Sequence, residues 1–391
     1  MIVFHAMIAV KRKRLLLFAF LGLFSVTFGS VPNEIIKTQI DSIRKRYDNI
    51  GLAVVAVKDS KIVFSETFGY DPQVSNPRKG EPIQKDDYFF IASVSKTFVG
   101  TAVMQLVEKG KLSLDDDVNN YLDFSVRNPY FPETLISVRM LLSHRSGLKR
   151  NADYSDFSLL NSEINKDYDQ FWNNYQPDKG VDYSNLGYVI LGAVIEKVSG
   201  QRFDEYIEKH ILRPLRIHGV WDVSKLGNAK LVHSGQYSKD HYVVHTKTHK
   251  VDSQKMSQYV LGYSTSLLNP SAALKISAPD LARYMIMHMN NGKSRRRRRV
   301  LTEESEAIMR EAQMGTKIGL SFVHFSNVIP GVELIGMNGA SYGIHSSMYF
   351  HPTDKYGFVV ICNGCNSETY ADSGLNDEVI RLLYNSLIKE D

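Results

Sequence analysis

Gly51-Leu52-Ala53-Val54-Val55-Ala56-Val57 is an apolar run. Lys58-Asp59-Ser60-Lys61 follows, and then Ile62-Val63-Phe64-Ser65-Glu66-Thr67-Phe68-Gly69. Two strand-length stretches joined by a polar turn read as a β-hairpin. Outward from it, Ile36, Ile40, Ile43 and Tyr47 have the spacing of an amphipathic helix. Strand patterns return only late, at Ile318–Phe325, Glu333–Met337, Ile344–Phe350 and Tyr356–Cys362, before a closing helix through Glu378–Leu383. About 90–260 is mostly helical in pattern, with polar, Tyr- and Asn-rich stretches at 149–180 and 222–262 expected to border a cleft. The economical fold is α+β. One antiparallel sheet draws strands from both chain ends, terminal helices cover a face, and a helical subdomain is inserted. The expected division is an α/β part at about 31–85 and 265–391 and a helical part at about 86–264.

Residues 1–30 read as a secretory signal. Lys11-Arg12-Lys13-Arg14 precedes the apolar run Leu15–Phe24, and small residues at Gly29-Ser30 permit cleavage. The run is short for a span of about 20 residues. The expectation is export to a periplasmic or extracellular location with no stable membrane span after cleavage; an uncleaved anchor is the alternative. Four of the 47 basic side chains lie in this leader, leaving 43 against 42 acidic ones in residues 31–391. That balance argues against a nucleic-acid partner. Arg295–Arg299, five consecutive arginines, reads as a solvated loop. Cys362 and Cys365 are too few for a structural zinc site, and either a small disulfide or packing cysteines fits them. No metal or organic cofactor is implied, and the oligomeric state is not encoded in any visible pattern.

Three motifs carry chemistry. In Ser93-Val94-Ser95-Lys96, serine and lysine share one helical face. The apolar stripe Phe98, Val99, Ala102, Val103 and Leu106 buries that helix. A buried lysine has a lowered pKa and can take the serine's proton. Tyr183-Ser184-Asn185 opens a second helix. A tyrosine beside a lysine is expected to titrate below its usual value near 10 and relay a proton, and Asn185 to orient the lysine and substrate. Gly336-Met337-Asn338-Gly339-Ala340-Ser341-Tyr342-Gly343 joins two strands, where glycines admit close backbone approach and a strand edge offers N–H donors. His144, in Leu141–Leu148, reads as a turn-stabilising residue with the chemistry of a base, and His345 lies close in sequence to the third motif.

These segments, in order from about residue 50 to the C-terminus, resemble the serine β-lactamase and penicillin-binding superfamily, in its class C-like branch. Ser93–Lys96 is similar to the nucleophile motif, Tyr183–Asn185 to Tyr-x-Asn, and Ser271–Ala282 to a recurrent segment of the branch. Leu141–Leu148 is similar to Leu-Leu-Ser-His-Thr-Ser-Gly-Leu, with Arg145 for threonine. The resemblance implies a β-lactamase/transpeptidase-like fold and an acyl-enzyme on Ser93, with Lys96 as base and Tyr183 as proton relay. It also implies a substrate site at Asn185, Asn338, Gly339 and Ala340, and an oxyanion hole from the N–H groups of Ser93 and Ala340. The substrates it implies are small molecules or peptides: β-lactams, D-amino-acid peptides or small esters. One departure stands out: Met337 occupies the place of the third motif's Lys or His. It favours substrates without a critical carboxylate, or a second class of function, a catalytically weak relative that binds cell-wall peptide or a partner protein in the same cleft.

Overall fold

The computed structural model describes residues 32–73, 79–150, 152–153, 155–160, 165–238, 241–245, 251–364 and 374–389. In chain order, α1 (Asn33–Arg46) turns back into the hairpin β1 (Gly51–Lys58) and β2 (Lys61–Gly69). The short β3 (Phe89–Phe90) leads to a 3-10 turn at Ala92–Val94 and to α2 (Ser95–Glu108). Next come α3 (Val138–Leu142), α4 (Asn185–Ser199), α5 (Phe203–Ile207) and α6 (Arg213–Leu215). They are followed by β4 (Gly219–Val220), the hairpin β5 (Ser234–Ser238) and β6 (His241–His245), α7 (Ser253–Ser257) and β7 (Lys275–Ile276). The chain ends with α8 (Ala278–Met289), α9 (Glu303–Arg310), β8 (Val323–Ile329), β9 (Val332–Ser341), β10 (Ile344–His351), β11 (Tyr356–Asn363) and α10 (Gly374–Leu383).

The main sheet has the order β2-β1-β11-β10-β9-β8, with neighbours antiparallel. β1 from one chain end pairs with β11 from the other, as the strand pattern requires. Alternation along β1 builds two layers. Leu52, Val54 and Ala56 face α1 and α10, meeting Ile36, Ile40, Val379 and Leu383. Ala53, Val55 and Val57 face the helical side and join the larger core around α2, α4 and α8. Burial on both faces explains why β1 reads as an unbroken apolar run. The fold class is α+β, and Val31–Asp391 forms one compact unit. No described helix is long and apolar enough to cross a membrane.

Two elements depart from expectation. The run Ile318–Phe322 is not a strand. Leu320 N–H bonds Met309 O and Ser321 N–H bonds Leu142 O, so these residues pin turns into the core and β8 starts only at Val323. Within 222–262 the expected irregular chain contains β5–β6, whose Gly235 carbonyl is pressed against Gly343; a Cβ on Gly343 would come within 1.8 Å of it. Cys362 is buried on β11, and Cys365 lies outside the described residues.

Candidate active site

The nucleophile turn is held from below. Ile91 N–H bonds Leu274 O, and Ser95 Oγ accepts from Leu274 N–H. Ala92 adopts a left-handed φ of 45°, costly for a side chain with a Cβ. Ser93 thereby sits on the tight 3-10 turn, partly open to the cleft, while Lys96 enters α2 and is fully buried.

Lys96 Nζ donates to Asn185 Oδ1 at 2.8 Å and Ser271 O at 2.8 Å, and lies 3.1 Å from the Ser93 hydroxyl. It lies 4.8 Å from the Tyr183 ring centre. All three hydrogen-bond partners are neutral. Burial therefore drives the Lys96 pKa well below its ordinary 10.5, which favours the free amine that a base requires. Ser184 caps α4 by accepting from Gly187 N–H, leaving Asn185, the first helical residue, to turn its amide to Lys96. The capping role and the lysine-binding role thus fall to adjacent residues.

Tyr183 corrects one expectation. Burial pushes its phenol up from 10, and neither Ser93 nor Arg150 reverses that. An uncharged Lys96 offers no field to offset desolvation, so the tyrosine stands as a neutral phenol. Its hydroxyl faces Ser93 loosely and makes no hydrogen bond of good geometry. His144 stacks beneath it at 4.2 Å between ring centres and accepts from Ser184 N–H through Nδ1. Burial holds the imidazole neutral, its pKa well below 6.5, and with Nδ1 taken by Ser184 N–H and its ring against Tyr183, His144 serves as a support. Arg145, standing where threonine was expected, is buried and paired with Asp178 at 2.8 Å.

β9 closes the other wall. A Cβ on Gly339 would lie 2.5 Å from Ile91 O, 2.6 Å from Ser346 Oγ and 2.8 Å from Ser93 N, so only glycine lets the strand backbone reach the nucleophile turn. Ser346 Oγ bonds Ile91 O at 2.7 Å and ties β10 to the same turn. A cavity of roughly 170 Å³ lies between these walls, bordered by Ser93, Asn185, Ala340, Trp221, Leu268 and Lys275. Asn338 is not on that wall. It is exposed and pairs with Ser347, whose hydroxyl accepts from Asn376 on the other side of the sheet. His345 alternates with Ser346 onto that other side too, and burial pushes its imidazole down to about 4. Met337 is 2% exposed and joins the core on the helical side. Of the two stretches expected to border the cleft, 222–262 contributes Val251 to the cavity wall, and 149–180 contributes Arg150, which stands against the Tyr183 ring.

Two cations escaped the sequence reading. Lys275, on the short strand between β3 and β4, is fully buried, borders the cavity and donates to Trp221 O at 2.6 Å. Burial lowers its pKa to about 7. The Arg150 guanidinium stands 5.3 Å from the Tyr183 ring centre. The only signal for Lys275 was a lysine inside the apolar segment Ala272–Ala278, and for Arg150 its place just beyond Leu148.

This arrangement, a serine and a buried lysine on a helix turn beside a strand edge, agrees with the sequence comparisons. The Beta-lactamase family profile matches residues 36–378, and the chain belongs to that family. Among its relatives is penicillin-binding protein 4* of Bacillus subtilis, 30% identical over 190 residues, which are 46% of this chain and 39% of that protein. The chain thus aligns with well under half of that relative's length. Among solved structures, the octameric penicillin-binding protein homologue from Pyrococcus abyssi superposes with a TM-score of 0.72 at 22% identity, covering 91% of this chain and 78% of that one. The D-amino acid amidase of Ochrobactrum anthropi SV3 complexed with D-phenylalanine gives 0.69 at 18% identity, covering 91% and 100%. At these identities the structural likeness speaks to the fold alone.

Proposed function

We propose that the protein is an exported serine hydrolase of the class C-like kind, cleaving a small amide or ester through an acyl-enzyme. The observation that carries this reading is the desolvated Lys96 amine, 3.1 Å from Ser93 Oγ with no carboxylate among its hydrogen-bond partners. Ser93 Oγ attacks the carbonyl carbon and its proton passes to Lys96 Nζ. The carbonyl oxygen, now negative, is held by the N–H groups of Ser93 and Ala340; one such donor is typically worth 100–1,000-fold in rate. Tyr183, protonated in the resting site, gives its proton to the departing amine or alkoxide and regains one from Lys96. Water then enters along the same path in reverse, and Ser93 leaves the acyl group.

The small cavity suits a compact acyl group, and Asn185, Asn269 and Ser341 on its wall offer polar contacts to it. Names among the relatives, penicillin-binding proteins and a D-amino acid amidase, point the same way, toward D-amino-acid amides and peptides. Met337 favours the other reading, a weak relative that binds without turnover, because it removes a cation from the strand beside Ser93. Labelling the folded protein with a fluorophosphonate and locating the adduct by mass spectrometry separates them. An adduct on Ser93 is expected, together with ester turnover that Ser93→Ala abolishes. A folded protein without adduct overturns the nucleophile assignment.

A further inference from the structure

The five arginines at 295–299 form part of a built feature. Ser294 N–H bonds Arg298 O, Arg297 N–H bonds Ser294 O, and Ser294 Oγ accepts from Arg298 N–H. Arg297 takes a left-handed φ of 62°, in a tight turn closed by those bonds. Arg295, Arg296 and Arg298 border a cavity of roughly 660 Å³. Arg216, which ends α6 in the left-handed conformation, and Arg283 of α8 complete the cationic wall. Asp280 pairs with Arg283, and among the described residues no carboxylate borders the cavity itself. The remaining wall is apolar: Ile62, Pro214, Leu215 and Ile286. Guanidinium groups above an apolar floor fit a ligand with a phosphate at one end and hydrocarbon at the other.

Position points the same way. Ser60 and Ile62, at the turn between β1 and β2, border this cavity, whereas the other end of β1, at Gly51, pairs with Asn363 beside the cleft strands. Seven strand rises separate the two ends, about 23 Å. α1 runs back along β1 through the turn at 47–50, so the chain enters the fold at Pro32 at the arginine end. Seven residues, Ser25–Val31, separate that junction from the apolar run Leu15–Phe24 in sequence. Apart from the leader and this loop the chain is not basic, which argues against a nucleic acid as occupant.

We propose that the arginine-walled cavity binds the phosphate headgroup of an anionic lipid and seats the fold on a membrane with the catalytic cleft turned away. The binding is independent of leader cleavage. It is tested on residues 31–391, the compact unit that holds both cores. The assay is co-sedimentation with phosphatidylcholine vesicles, with and without about one third phosphatidylglycerol, at low and high salt. Binding is expected only to the anionic vesicles and is expected to weaken with salt. Each arginine near an anionic surface contributes about fivefold. The triple variant Arg295→Gln, Arg296→Gln, Arg298→Gln should therefore bind roughly 100-fold more weakly, with ester turnover unchanged. Arg296→Gln alone should lose about fivefold, which keeps the test usable if the triple variant fails to fold. Equal binding to neutral vesicles, undiminished binding by the variants, or full displacement by millimolar inorganic phosphate would each overturn the proposal; the last would identify a soluble anion as the occupant.

Discussion

The two ends of α4 each hold a buried polar hub, and the two hubs do opposite work. At the N-terminal end Tyr183 and Asn185 meet Lys96, whose buried amine has only neutral partners and whose neighbour Ser93 opens onto a cavity. Near the C-terminal end the Glu196 carboxylate is sealed. It accepts from Phe203 N–H at 2.8 Å, Gly262 N–H at 2.7 Å, Thr265 Oγ1 at 2.7 Å and Tyr259 OH at 2.5 Å. Those donors pin the chain at 259–265, and Leu267, Leu268 and Asn269 just beyond border the cavity beside Ser93. A buried charge whose partners leave one side open retains reactivity, whereas one enclosed by donors retains shape.

Removing Lys96 tests the first half of that contrast. Lys96→Ala should lower kcat by roughly 10³-fold on any ester the protein turns over, the usual scale for a general base, with no comparable loss of folded protein. A variant within tenfold of wild type would show that Lys96 is not the base. Glu196→Ala should do the reverse. It strands four buried donors, at a cost of about 3 kcal/mol or more in denaturant unfolding, while turnover by the folded fraction falls less than tenfold. If the rate collapses and stability holds, the two hubs are not separable.

Lys275 lies between these extremes, a buried cation at the cavity wall. Its pKa is about 7 folded against 10.5 ordinarily, so between those values the unfolded chain binds the extra proton and wild-type stability rises with pH. Lys275→Met should flatten that rise, read as urea midpoints at pH 7 and 10; parallel slopes would show that Lys275 does not titrate there. The smallest effect belongs to Arg150. Its guanidinium packs on the Tyr183 ring, so Arg150→Gln should lower kcat/KM by about two- to fivefold, the scale of one cation–π contact. An unchanged kcat/KM would remove Arg150 from the site.

How much of this was legible follows from what each feature depends on. The β1–β2 hairpin and β9–β11 showed in the sequence because their apolar runs are bounded by turn residues. Ser93, Lys96, Tyr183 and Asn185 showed because helical spacing and ordered motifs are local properties. Ile318–Phe322 misled because an apolar run buried through turns is indistinguishable from a strand until α3 and α9 are in place. β5–β6 was hidden because a polar hairpin owes its position to Gly343 and Asn363 on other elements. The Tyr183 shift ran opposite to expectation because it depends on desolvation, which no spacing reports. Lys275 acquired meaning only when β3 and β4 enclosed its strand.

The seam between Ser346 and Ile91 joins residues 255 positions apart. Gly339 and Ala340, the other wall of the nucleophile turn, come from the same late stretch of chain. A nascent chain that has reached only Lys96 therefore carries the serine and the amine but not the strand wall that faces them. Its sheet still lacks β11, the strand that joins the two halves. Such long-range closure is slow to form. Any reactivity of the pair is thus timed by topology: the serine and lysine are made early, and the wall that encloses them comes last.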